Sequence, residues 1–339
     1  RPSALDFFAD GRAAVCTLNG DVWIVSGLDE KLENVSWQRF ATGLYEPMGL
    51  KIVDNKVYVL GRDQITRLHD LNADGEADFY ENFNNDGVVH RVYHGFVFDL
   101  QTDSEGNFYY ARGGMTAPRG YPHACTMLKV SKDGSTLELF ATGVRAGNGL
   151  GIGPNDEITF GDNQGNWIPS SKINLVKKGE FQGFTTMAPL NDTPKDYPKP
   201  LCWVPHSLDS SSGSQIWVGT DKFGPLKGKM LHTSFGRAAL ILVMHEYVDG
   251  VAQAGSVKFP LVFETGVMRA RFNPVDGQLY LCGIGGGWQS SGVKDGQLQR
   301  VRYTGKPFNS VCGMNVVKNG IVLTFTGELD RASAADGEN

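Results

Sequence analysis

The chain has 339 residues, 41% of them apolar, so it can bury a large core; its 43 glycines follow no G-X-Y period, which argues against collagen and for many tight turns. The net charge of −5 is spread evenly with no basic stripe, which argues against nucleic acid and anionic membrane surfaces as partners. No apolar run approaches the roughly 20 residues of a membrane span, and the absence of a signal peptide before strand-like Leu5-Asp6-Phe7-Phe8 reads as a mature or excised fragment.

Helical periodicity is nearly absent. Short β-branched and aromatic runs alternate with Asp-Gly, Asn-Gly and Glu-Gly turns. A first group of strands is predicted at Ala4–Phe8, Arg12–Leu18, Asp21–Val25 and Trp37–Thr42. A second covers Met48–Val53, Lys56–Leu60, Gln64–Leu68 and Phe79–Phe83, and a third Gly95–Leu100, Phe108–Ala111, Thr126–Val130 and Leu137–Thr142. The fourth holds Gly149–Ile152, Glu157–Gly161 and Lys172–Val176, with a ragged end near Phe184 and a Pro/Lys/Asp-rich loop over 186–201. The fifth runs from Trp203 to Phe263 with an insertion around 246–256. The sixth holds Met268–Phe272, Gln278–Gly283 and Gln297–Tyr303, its fourth strand supplied by the N-terminal segment.

A joint recurs at Phe40-Ala41-Thr42-Gly43, Phe140-Ala141-Thr142-Gly143 and Phe263-Glu264-Thr265-Gly266, at spacings of 100 and 123 residues. Each copy marks where an outer strand ends and the chain dives to the next innermost strand. The reading is an all-β, six-bladed β-propeller of four-stranded antiparallel blades over residues 1–312. Residues 313–339 read as a strand pair around Asn319-Gly320 with a polar tail, the start of a further β domain.

The five cysteines form no CxxC pair and read as buried thiols, with a single bridge as the alternative. Asp70-Leu71-Asn72-Ala73-Asp74-Gly75-Glu76-Ala77-Asp78-Phe79-Tyr80-Glu81 matches a D-x-N-x-D-G-x-x-D-x-x-E calcium loop. Asp70, Asn72, Asp74, Asp78 and Glu81 would give side-chain oxygens and Glu76 its carbonyl, clamping Ca²⁺ structurally; the plainer alternative is a solvated acidic turn.

Residues that precede innermost strands of different blades converge at one channel mouth. His94, Arg145, His206, Arg269 and Arg271 are therefore expected to meet, with His123 near them on a Gly/Pro-rich excursion. Arg269 and Arg271 are two apart and share a strand face, which suits an anionic ligand; the alternative is an arginine pair salt-bridged to carboxylates at the blade ends. The Gly161-Asp162-Asn163-Gln164-Gly165-Asn166-Trp167 loop suits cation binding by carbonyls or hydrogen bonding to sugar. Trp167, Trp203 and Trp288 are candidate stacking faces.

The stretches 94–114, 127–166, 172–184 and 266–283 make the chain resemble the soluble quinoprotein sugar dehydrogenases, of the sorbosone and soluble glucose dehydrogenase branch. The wording DLNADGEADFYENFNND and RARFNPVDGQLY is most similar to large secreted planctomycete-type proteins often labelled membrane-bound dehydrogenases. The resemblance implies a six-bladed propeller using pyrroloquinoline quinone (PQQ) and calcium to oxidise a sugar. It implies His94 as the base, Arg145 beside it on the quinone, and Arg269 and Arg271 on quinone carboxylates. Gly161, Asp162 and Asn163 would serve the cofactor calcium, and His206 would stand where a quinone-contacting threonine falls. It also implies a periplasmic or secreted protein that passes electrons to an acceptor such as a cytochrome. Two positions depart from the pattern: Ala146 follows Arg145 where the family has Asn, and Arg237 is the one cation near the place of the family's lysine.

A rival reading places a transition metal (Cu, Zn, Mn or Fe) on His94, His123 and His206, for lyase or hydrolase chemistry on a uronic polysaccharide. A third is a non-catalytic glycan- or protein-binding propeller.

Overall fold

In the computed structural model, described over residues 1–165, 168–185, 194–285 and 290–336, the elements form six antiparallel sheets and one separate hairpin. Blade one is β1 (Pro2–Phe7), β2 (Ala13–Thr17), β3 (Val22–Ser26) and β4 (Ser36–Ala41); blade two is β5 (Gly49–Val53), β6 (Lys56–Leu60), β7 (Ile65–His69) and β8 (Phe79–Asn84). Blade three is β9 (Val97–Thr102), β10 (Phe108–Arg112), β11 (Thr126–Val130) and β12 (Leu137–Thr142); blade four is β13 (Gly149–Ile152), β14 (Ile158–Asp162), β15 (Ser171–Val176) and β16 (Cys202–Val204). Blade five is β17 (Ser212–Trp217), β18 (Met230–Ser234), β19 (Ala239–Val248) and β20 (Val251–Lys258); blade six is β21 (Gly266–Phe272), β22 (Leu279–Ile284) and β23 (Gly296–Val301).

The first strand of each sheet packs against the first strand of the next, from β1 round to β21 and back to β1, which closes the ring. Burial follows from that arrangement. Strands β2 and β10 lie between neighbouring blades and are buried at every residue, whereas the outer β4 is mostly exposed. Core residues such as Leu100 and Phe108 therefore sit between blades, each contributing roughly 1.5–3 kcal/mol of burial.

Four expectations need correction. Blade six has three strands among the described residues, and the N-terminal segment pairs with β2 instead of completing it. The reason is burial: Ser3 to Phe7 are buried throughout, which fits an innermost strand and not a solvated rim. Blades six and one join by side-chain packing, with the Phe7 and Tyr280 rings 5.2 Å apart. Blade four is completed by Cys202–Val204, of which Trp203 and Val204 were expected to open blade five; Cys202 and Val204 point inward and Trp203 outward.

The stretch 246–256 is no insertion. It belongs to the long β19–β20 hairpin, turned by Asp249 and Gly250 at φ 49° and 79°. The last strand pair, β24 (Val311–Val317) and β25 (Gly320–Phe325), begins two residues earlier than expected and packs on blade five. Asn315 Nδ2 and Val316 N donate to Glu246, and Cys312 joins the Leu242–Met244 cluster. A short helix, Arg331–Ala335, follows with Asp330 as its N-cap.

Innermost strands approach so closely that glycine is required where backbones meet. A Cβ on Gly49 would lie 2.7 Å from the backbone carbonyl of Asp99. Gly49→Ala should therefore lower stability by about 1–3 kcal/mol, read as a lower urea midpoint. Gly219→Ala, where a Cβ meets nothing within 4 Å, should leave the midpoint nearly unchanged.

Candidate active site at the channel mouth

Three chain segments meet over one end of the channel: the turn at 92–95 before β9, residues 145–148 between β12 and β13, and residues 163–165 after β14. They surround a cavity of about 240 Å³, small for a ligand pocket. Met48, Phe96, Phe98, Met115, Phe235 and Met268 form its apolar walls. The polar wall is His94, Arg145, Asn148, Asn163, Gln164 and Ser211, and among the described residues no carboxylate lines it.

His94 stands in a turn closed by Gly95 N donating to Val92 O at 3.0 Å. The Tyr93 ring meets it edge-on at 4.7 Å. His94 Nδ1 is buried with no partner among the described residues, so Nε2 is the nitrogen open to the cavity. Burial, helped by the Arg145 charge, lowers its pKa below the ordinary 6.5, which keeps the ring neutral near pH 7.

Arg145 follows the second copy of the joint. Its backbone N and that of Ala146 donate to Asp162 at 3.2 and 3.0 Å, which pins the segment to β14. The guanidinium pKa is pushed down by burial, partly offset by Asp162, and Nε has no partner among the described residues. Burial raises the Asp162 carboxyl against the pull of Lys172. Lys172 is itself pushed down to about 8 by burial and donates to Gln182 O at 2.6 Å.

Arg269 and Arg271 occupy β21 and share a face, as their spacing requires, but they lie below the cavity floor. Both converge on Asp99 of β9, which sequence reasoning missed. Arg271 Nη2 donates to Asp99 Oδ1 at 2.9 Å, and Arg269 Nε lies 3.7 Å from Oδ2. Ser214 Oγ, Leu150 N and Leu100 N also donate to this carboxylate, at 2.5, 3.3 and 2.9 Å. Arg269 continues to Asn148 Oδ1 at 3.3 Å and Met48 O at 3.0 Å. Burial would raise the Asp99 carboxyl, but Arg271 and Arg269 outweigh it and hold it below the usual range. The salt-bridged alternative for the arginines is thus the one realised, with an acid of the channel core instead of a blade end. The signal was available: Asp99 is the one charge in the apolar innermost strand Val97–Thr102.

The other predicted residues divide. Asn163 lines the cavity, whereas Gly161 is paired on both sides within β14 and the Asp162 carboxylate is fully buried under backbone N–H groups. His206 is exposed and held by Arg237, whose Nε donates to its carbonyl at 2.8 Å. Neither residue lines the cavity, so Arg237 adds no cation there. His123 takes a hydrogen bond from Val88 N at 3.1 Å on its Nδ1 and also stands off the cavity. The three-histidine metal centre is therefore not assembled, and no group of three metal-ligating side chains occurs among the described residues. Trp203 is 46% exposed on the outer strand of blade four, away from the cavity; Trp167 and Trp288 fall outside the described residues.

The 70–78 loop joins β7 to β8 at the rim of blade two. Asp70 accepts from Ala73 N and Gly75 N, Asn72 from Asp74 N, Asp74 from Glu76 N, and Asp78 from Leu71 N. Glu81 is turned out of the loop onto Arg67 and His69, each at 2.6 Å. All five cysteines are free and buried, and burial pushes Cys16 up to about 11, well above the range of a reactive thiol.

No family model and no curated protein sequence matches the chain. Solved structures do. An oxidoreductase of Thermus thermophilus described as a glucose dehydrogenase aligns over 88% of this chain and 96% of its own, with 16% identity and a TM-score of 0.67. The PQQ-bound aldose sugar dehydrogenase of Streptomyces coelicolor aligns over 89% and 93%, with 12% identity and a TM-score of 0.66. A luciferin-regenerating enzyme aligns over 90% and 92%, with 12% identity and a TM-score of 0.59. The architecture is thus that of the six-bladed propellers, a fold that carries sugar dehydrogenases and other activities alike.

Asp99→Asn would leave two guanidiniums buried without a counterion and should cost about 3–5 kcal/mol in denaturant unfolding. Because the folded carboxyl is held down, the stability it contributes is full above its unfolded pKa of about 3.9 and fades as pH falls through the folded value. The wild type should lose stability over that acid range, and Asp99→Asn should show a flatter acid limb.

Proposed function

We propose that the chain is a quinoprotein-type dehydrogenase that oxidises a sugar hydroxyl in the channel-mouth cavity. The observation that carries this reading is the pairing of His94 and Arg145 on one wall. Each has a buried nitrogen without a partner among the described residues, and the apolar side chains of Phe96, Phe235, Met48 and Met268 line the cavity beside them. Apolar walls with a guanidinium beside them suit an anionic aromatic cofactor, and the dehydrogenases among the structural neighbours support the same choice.

PQQ, when bound, supplies a two-electron acceptor. In this reading Arg145 holds one of its carboxylates, and the aromatic and methionine walls clasp the ring and exclude water. His94 Nε2 accepts the proton of the sugar hydroxyl as the carbon is oxidised, a role that needs the neutral ring its environment favours. Arg269 acts from below through Asn148, and Arg271 holds Asp99 beneath the cavity floor, without touching the cofactor. Among the described residues the metal-centred rival has no cluster of three ligands to stand on. Calcium at the 70–78 loop is part of the proposal and rests on the sequence spacing of Asp70, Asn72, Asp74 and Asp78; in the structure the three carboxylates accept from the loop's own backbone and, among the described residues, form no ligand cluster. Placement in the periplasm or outside the cell, with an acceptor such as a cytochrome, completes the reading.

Reconstitution with PQQ and Ca²⁺ should give a quinone absorbance change and dye reduction with aldoses; no PQQ binding sinks the proposal. His94→Gln should lower kcat by about 10²–10⁴ while keeping PQQ affinity. Activity should rise with pH along a limb centred below 6.5, because the proton acceptor is the neutral ring. Arg145→Gln, which removes a charge that depresses His94, should move that limb to higher pH. Ca²⁺ should raise the Tm of the wild type and not that of Asp74→Ala, read by calorimetry with and without chelator.

A further inference from the structure

The three amide side chains on the cavity wall are each held by the oxygen. Ser212 N donates to Asn163 Oδ1 at 2.8 Å. Arg269 Nη1 donates to Asn148 Oδ1 at 3.3 Å. Both donors lack lone pairs, so they fix which end of each amide they meet. Ser171 Oγ meets Gln164 Oε1 at 3.0 Å and orients the third. The NH₂ groups of all three have no partner among the described residues, and all three residues line the cavity. Arg145 adds a guanidinium, which can only donate.

We propose that Asn148, Asn163 and Gln164 form a fixed donor wall that, with Arg145, selects a ligand presenting carbonyl and carboxylate acceptors along one edge. The wall is rigid because its anchors belong to the fold. Ser212 lies in β17, Ser171 in β15 and Arg269 in β21, all fully buried. An amide on a free side chain turns over to suit a donor or an acceptor; Asn148 and Asn163 cannot without stranding a buried donor, at about 1–3 kcal/mol each, while Gln164 is oriented by the Ser171 hydroxyl, which can donate or accept. A ligand edge bearing hydroxyl or ammonium donors therefore meets NH₂ groups head-on, whereas a carboxylate or ring carbonyl is received at several points. With no carboxylate among the described lining residues, a bare cation finds no side-chain counter-charge here. Two ligands carry this acceptor edge, a carboxylated quinone and a uronate sugar. The first rests on the dehydrogenase reading; the donor wall itself does not.

The test measures binding, not turnover. Purified protein is titrated with PQQ alone and, separately, with D-glucuronate, at fixed ionic strength, by calorimetry. Asn163→Asp keeps the oxygen that Ser212 N holds and replaces only the NH₂ with an acceptor. Gln164→Met removes a donor without adding charge, and with it the oxygen that Ser171 Oγ meets. Asn163→Asp should keep the wild-type Tm and Gln164→Met should lower it slightly while staying folded; affinity for the bound anion falls at least ten-fold in Asn163→Asp and about ten-fold in Gln164→Met. PQQ binding weakened in both variants supports the donor wall with the quinone as its ligand. Glucuronate binding weakened in both, with no PQQ binding in the wild type, supports the wall and overturns the quinone reading. Unchanged affinity in the folded variants, or binding of neither anion by the wild type, overturns the donor wall.

Discussion

The buried carboxylate of Asp99 is the constraint on which the rest of the structure depends. It sits at the channel core with no exposure, where an unpaired charge would cost several kcal/mol. Its partners come from around the ring: its own blade three supplies Leu100 N and Gln101, blade four Leu150 N, blade five Ser214, and blade six Arg271 and Arg269. Charge compensation is therefore complete only when the ring has closed. The residue also holds a left-handed backbone at φ 57° on a β-bulge, a conformation that costs on the order of 1 kcal/mol. The ion cluster offsets that strain and aims the carboxylate at the axis.

The cavity is built on top of this cluster. Arg269 reaches past Asp99 to the carbonyls of Met48 and Met268 and to Asn148. The floor of the cavity and one of its polar walls are thus tied to the same ion network that closes the ring. Asp162 does the equivalent on the opposite side, holding the Arg145–Ala146 backbone while itself buried. The side chains of His94 and Arg145 are left open to the ligand without such a tie, while Asn148, Asn163 and Gln164 face the cavity from anchors in the fold. That division explains why so charged a channel offers its ligand only one guanidinium among the described residues.

Much of the architecture was legible because propeller blades advertise themselves locally. Period-two runs bounded by Asp-Gly and Asn-Gly turns placed the inner three strands of nearly every blade. Outer strands were harder, since they are solvated and lose the apolar alternation. Glu246, Tyr247 and Gln253 lie on the exposed β19–β20 hairpin and so read as an insertion. Cys202–Val204 was separated from its blade by a long excursion that carries no pairing signal. His94, Arg145 and Asn163 were legible as convergent residues that line the cavity, because His94 and Arg145 precede innermost strands and Asn163 follows the inner hairpin of blade four. His206 shared that signal but was drawn aside by Arg237, a contact made thirty-one residues away in the chain.

What the sequence by itself determined is the strand content, the turn positions, the repeat and the same-face placement of Arg269 and Arg271, since these follow from local backbone preference and the two-residue period of a strand. Only the tertiary structure decided which of the convergent polar groups face the ligand and which answer one another. Arg269 and Asp99 lie 170 residues apart, and no local rule relates them. Their pairing is set by the width of the channel between opposite innermost strands, β9 and β21, once the ring has closed, and by the cost of leaving either charge buried alone.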